Sequence, residues 1–173
     1  GVRGPRRWSA TSGGRLYELA GELVLRAMDA GALLIVNDRV DVALAAGADG
    51  VQLGARSLAL DDAAALLGDA PLIGVSTHVP EEGYDAVEGG ADFLVVGHVY
   101  ETPSHPGREG AGTALVEGMA LLGVPVVAIG GVTPERVAEV RGAGAAGVAA
   151  IRGVWDAPDP ARAVRRYLDA WHS

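Results

Sequence analysis

The chain has 173 residues, 49% hydrophobic and 21% charged, with no cysteine and a formal net charge of -8. That length suits a single domain with a sizeable core, here residues 1–173. Without thiols, disulfides, thiolate nucleophiles and thiolate metal sites are excluded, and the acidic balance argues against nucleic acid or an anionic membrane as the main partner.

The opening Gly-Val-Arg-Gly-Pro carries no Met and reads like the middle of something. Beyond it, apolar residues at helical spacing predict a helix over 15–29, and the compact run at 32–36 predicts a strand buried on both faces. The alternation then continues: helix 40–46, strand 49–53, helix 60–67, strand 71–75, helix 80–89 and strand 92–96. It closes with helix 113–121, strand 125–129, helix 134–143, strand 147–151 and helix 158–171. Gly47, Gly68, Gly90 and Gly144 stand where helix C-terminal glycines belong, and Thr133-Pro134 reads as an N-cap before a first-turn proline. The phrases Ala46–Val51, Gly89–Leu94 and Ala143–Val148 repeat one unit of helix end, tight turn and strand start. No apolar run reaches the roughly 20 residues of a membrane span and no signal peptide is visible, so a cytoplasmic protein is expected.

Strict strand–helix alternation with buried strands implies a parallel α/β sheet, either a closed barrel or an open doubly wound sheet. The dinucleotide fingerprint is missing from the first strand–turn–helix, and polar residues end nearly every strand. A TIM-type (β/α) barrel, whose rim collects such residues, is therefore expected.

Val127–Glu135 carries the strongest local signal for chemistry. Its strand runs into Gly130-Gly131, which let backbone N–H groups approach an anion; the alternative is a plain tight turn. Val148–Val154, including Ile151 and Arg152, supplies the other half of the phosphate cradle usual after the last two strands of a barrel. His98 ends a strand and would point into the barrel mouth, as an acid/base or as a hydrogen-bonding loop residue. The loop 100–112 that follows is a plausible lid. His78 and His105 read as polar loop residues, Arg6 and Arg7 as a solvated pair, and Trp155 and Trp171 as packing residues. No His/Asp/Glu spacing supports a dedicated metal site.

The phrases Ile35–Asp41, Ala48–Gly54, Ile73–His78 and Val127–Glu135, in that order, resemble the thiamine phosphate synthase/TenI superfamily. The synthases of that superfamily join a pyrimidine diphosphate to a thiazole phosphate with magnesium. Three positions depart from their pattern. Ser57 stands for a metal-binding Asp, Thr102-Pro103-Ser104-His105 lacks the lid Lys, and Gly97-His98-Val99-Tyr100 replaces a Gly-Pro segment. These departures resemble the thiazole tautomerase branch. The resemblance so read implies an isomerase of thiamine biosynthesis that aromatises a thiazole carboxylate phosphate, with His98 shuttling the proton and no cofactor or metal. Gly130, Gly131, Ile151 and Arg152 would hold the phosphate. Arg3, Asn37, Ser76, Tyr100, Thr102 and Ser104 would line the thiazole pocket, and the family habit suggests a homodimer. Arg3 matches the end of the family's second strand, so the first strand, first helix and most of the second strand are expected to be absent. The other readings are a magnesium-dependent synthase and a non-catalytic barrel that binds a phosphate ligand.

Overall fold

The computed structural model describes residues 12–103, 107 and 109–173. Arg3, Arg6, Arg7, Ser104 and His105, singled out above, lie outside the described residues. The elements are α1 (Gly13–Asp29), β1 (Ile35–Asn37), α2 (Val40–Ala46), β2 (Gly50–Leu53), α3 (Leu60–Leu67), β3 (Leu72–Thr77) and α4 (Pro80–Glu88). They continue as β4 (Phe93–Val96), α5 (Thr113–Ala120), β5 (Val126–Ile129), α6 (Val137–Gly142), β6 (Gly147–Ala149), α7 (Arg152–Trp155) and α8 (Pro160–His172).

Several expected boundaries move. Strand β1 starts at Ile35 rather than Ala32. Strand β6 stops at Ala149, because Ile151 already takes helical angles (φ -98, ψ -72) as the N-cap residue of α7. The helix expected over 134–143 begins as a 3₁₀ turn, Pro134–Arg136, before α6. Thr133 occupies the N-cap position there but makes no capping bond. Its hydroxyl instead helps hold the Glu135 carboxyl below its usual range, behind a bond from the Glu135 backbone. Trp155 does not pack as expected: it is 64% exposed.

Two compact units make up the chain: residues up to Val75 with Gly89–Asp92, and Ser76–Glu88 with Phe93–Ser173. In the first, β1, β2 and β3 pair in parallel, with Ile35 opposite Gly50 and Gly50 opposite Leu72. A Cβ on Gly50 would collide with the Leu72 carbonyl, so the tight strand approach requires glycine. Val40 and Ala43 of α2 and Ala63 and Leu67 of α3 bury their apolar sides against Val51, Leu53 and Ile73. In the second unit β4, β5 and β6 pair in parallel, with Leu94 opposite Val126 and Val127 opposite Gly147. There the largest wholly buried side chains include Leu94, Val96, Val116, Met119, Val126, Val137 and Val140. Burying each stabilises the fold by roughly 1.5–3 kcal/mol, which is why β-branched strands and Ala-rich helices suffice without an aromatic core.

The repeated turn phrase has a structural purpose. Asp49 donates its N–H to Leu34 O (3.0 Å) while its carboxylate accepts the Leu34 N–H at 2.7 Å. Asp92 treats Ile73 in the same way, at 2.8 and 2.7 Å. A single Asp thus satisfies both polar groups of a residue at a neighbouring strand start, which otherwise would have to find water. The third copy has Ala146 in this place, and it keeps only the backbone bond, to Val126 O at 2.8 Å.

Replacing Asp92 by Ala should therefore lower unfolding free energy by about 1–3 kcal/mol, the usual effect of stranding a bond to a charged group. Urea denaturation of the two proteins at neutral pH measures it.

Candidate functional site

A cavity of about 660 Å³ opens in the second unit. Gly130, Gly131, Ile151 and Arg152 line it, as does His98, so the expected cradle residues and His98 come together with Ser76 and Thr102 of the expected pocket. Two expected pocket residues do not join them. Asn37 belongs to the first unit, exposed at the end of β1. Tyr100 is not among the lining residues, and its hydroxyl turns to α6, donating to Glu139 Oε2 at 2.7 Å.

The cavity floor is made by the turn after β5. Gly130 and Gly131 both have positive φ, 95° and 66°, the region that an L side chain rarely adopts. The turn is also pressed from above. A Cβ on Gly130 would stand 2.5 Å from His98 Cβ, and one on Gly131 would stand 2.7 Å from Glu101 O. Backbone bonds make that contact: Val99 N–H donates to Ile129 O and Tyr100 N–H to Gly130 O, both at 2.9 Å. The glycines therefore serve two needs at once, an uncommon backbone conformation and close passage of the segment carrying His98.

Side chains pin the next two carbonyls. Arg136 Nη1 donates to Gly131 O at 2.9 Å, and the buried Tyr167 hydroxyl donates to Val132 O at 2.9 Å. A Cβ on Gly153 would strike the Tyr167 hydroxyl, so glycine lets α7 lie against α8 without displacing that side chain. Neither Arg136 nor Tyr167 was expected from the sequence, although both line the cavity. Arg136 carried a faint signal, lying five residues beyond the glycine pair at a helix start. Tyr167 carried none, because its partner is 35 residues away.

Charge in the cavity comes from Arg136, Arg152, Glu101 and Asp156 on its walls. Arg152 Nη2 donates to the buried Thr102 hydroxyl at 3.0 Å, tying the start of α7 to the loop after β4. His98 lies half-buried with Nε2 3.0 Å from Glu109 O. Since a carbonyl can only accept, Nε2 carries the proton in that contact. This bond holds the two ends of the 99–109 loop together. The guanidinium of Arg136 lies 4.3 Å from the Tyr100 ring centroid. Burial pushes the Tyr100 phenol up to about 12, with the Glu139 carboxylate adding to the effect and Arg136 opposing it.

The sequence pattern described as thiamine monophosphate synthase matches residues 7–154, most of the chain. The chain belongs to the thiamine monophosphate synthase family. A thiamine biosynthesis bifunctional protein of Symbiobacterium thermophilum is 48% identical over 141 residues, 80% of this chain and 29% of that protein. The thiamine-phosphate synthase of Gloeobacter violaceus is 47% identical over 140 residues, again 80% of this chain and 41% of its own length. This chain thus spans less than half of each of these two relatives. A solved structure of a thiamine phosphate pyrophosphorylase from Pyrococcus furiosus superposes with a TM-score of 0.87 at 32% identity, covering 94% of this chain and 78% of that one.

These relatives overturn the tautomerase reading and with it the isomerase class. The Gloeobacter violaceus relative, 47% identical, is named a synthase, and the Pyrococcus furiosus structure, 32% identical, a pyrophosphorylase, each over most of this chain. The departures at Ser57, His98 and Thr102 that resemble a separate branch all lie outside the strands and helices. Loops vary readily between members of a family, whereas similarity over whole strands and helices does not arise from a few loop positions. Among the described residues, no helix is long and apolar enough to cross a membrane.

Two outcomes check this geometry. Gly130→Ala should expel the His98 segment from its seat and lower thermal stability, read by a melting curve. In an ultraviolet titration of phenolate, Tyr100→Phe should remove a group that ionises at about 12.

Proposed function

We propose that this chain carries the phosphate-binding side of a thiamine-phosphate synthase, a transferase that joins a pyrimidine held on a diphosphate to a thiazole phosphate. The observation that carries the reading is the glycine-floored cavity of the second unit, present in a chain whose family match spans residues 7–154. The parallel strand–helix alternation also supports the TIM-type barrel expected from the sequence.

In this reading the phosphate of the thiazole sits over Gly130-Gly131, within reach of Ile151 and Arg152. Arg152 supplies a planar cation that suits phosphate, and its bond to Thr102 fixes the side chain before the ligand arrives. Ser76 and Thr102 contribute hydroxyls to the wall. His98 Nε2 bonds Glu109 O beside the pocket. Transfer forms a bond from the thiazole nitrogen to the pyrimidine's carbon as the carbon–oxygen bond to diphosphate breaks, and the electron pair leaves with the diphosphate. Fixing the thiazole by its phosphate supplies the proximity that such a two-substrate step needs.

Magnesium is implied for this chemistry by the resemblance, and the residues can be tested for it. In the first unit Asp38 takes φ 64, and its carboxylate accepts the Ser57 hydroxyl proton. Ser57 Oγ in turn accepts the Gly54 N–H at 2.7 Å. Among the described residues there is no cluster of three His, Asp or Glu able to hold an ion. One carboxylate already engaged by a neutral hydroxyl does not fit a resident magnesium site.

The test is an assay with both substrates, following coupled product and released diphosphate. Product formation supports the synthase. Phosphate-ligand binding without product would move the chain to the non-catalytic reading. If product forms, Arg152→Met should raise KM for the thiazole phosphate about ten- to hundred-fold, the effect of one charge-assisted bond, with a smaller change in kcat.

A further inference from the structure

We infer that Arg136 is a second anion-binding residue of the cavity, fixed in advance by Gly131 and by the Tyr100 ring. The inference rests on the reading of the glycine turn as a phosphate cradle and extends it to a residue outside that turn.

Arg136 sits at the end of the 3₁₀ turn, where a cation would ordinarily stay in solvent. Arg136 is exposed, yet it lines the cavity, with Nη1 on Gly131 O at 2.9 Å and the guanidinium carbon 4.3 Å from the Tyr100 centroid. A guanidinium carries five N–H donors in one plane, so holding a single carbonyl with Nη1 leaves capacity for a bidentate contact with phosphate. The bond and the ring both restrict the side chain before any ligand binds. Binding an anion then costs less ordering entropy than recruiting a free surface arginine. Tyr100 is itself held, by its backbone bond to Gly130 O and by its hydroxyl on Glu139. The same arginine therefore touches the cradle and the segment that covers it.

Charge balance also favours this role. Glu101 and Asp156 on the cavity wall offset two positive side chains. With Arg152 as the sole cation, the two carboxylates would leave the wall with a net negative charge, and Arg136 neutralises it. Tyr100 and Glu139 are positioning residues in this scheme, since neither needs to touch the anion.

The experiment is a titration of the whole chain with inorganic phosphate, followed by amide NMR shifts of Gly130–Thr133, for the unmodified protein and for Arg136→Met, Arg136→Lys and Tyr100→Leu. Arg136→Met should weaken phosphate binding about ten-fold or more. Arg136→Lys should recover only part, because an ammonium can neither stack on the ring nor bind in a fork. Tyr100→Leu keeps every charge but removes the platform, and it should weaken binding to an intermediate degree. A purely structural Arg136 would leave phosphate affinity unchanged in all three while the melting temperature moved. If the cradle amides respond to phosphate and Arg136→Met binds it as tightly as the unmodified chain, the inference fails and the cradle stands. If those amides do not respond at all in the unmodified protein, the cradle reading fails and this inference goes with it.

Discussion

Two glycines in succession with positive φ set the terms for the second unit. The turn they make lets the backbone after β5 pass beneath His98 and Glu101 at distances that no Cβ could share. Everything else at the cavity is organised around that contact. The segment after β4 is stitched to the turn by Val99 and Tyr100, and the two carbonyls that follow are held by Arg136 and Tyr167. A polar turn inside a folded unit is tolerable only when its carbonyls find donors. Here those donors come from α8 and from the start of α6, so the floor is rigid although it belongs to no regular element.

That rigidity bears on chemistry. An anion site with a backbone floor depends for its precision on how firmly the turn is held. Arg152 and Arg136 lie on the cavity wall, and each already has a protein partner. Neither must be collected from solvent when a ligand binds. The price is a set of positions that need glycine, namely 97, 130 and 131, each facing backbone atoms that a Cβ would strike.

The Asp clamps do comparable work in the first unit. Asp49 and Asp92 satisfy the strand starts at Leu34 and Ile73 with backbone and carboxylate together. Their repeated phrase was plain in the chain, but its meaning was not, since the partners lie 15 and 19 residues away. Where the third copy has Ala146, the same turn forms without a carboxylate, which separates the turn's local requirement from the clamp added to it.

Local pattern by itself determined the order of strands and helices, the C-terminal glycines and the anion-binding look of Gly130-Gly131, because these depend on side-chain periodicity and on φ, which neighbouring residues dictate. Family membership was legible for a related reason: four motifs in one order are a property of the chain. Which activity the family likeness carries was not, since a few loop residues weighed more in that reading than whole strands and helices should. The cavity's working set was decided only by folding. Tyr100 left the expected pocket for Glu139, while Arg136 and Tyr167 entered it, through contacts that α6 and α8 create. A side chain's periodicity says which face of its own element it occupies, but whether it meets a carbonyl on another element is fixed by how those elements pack.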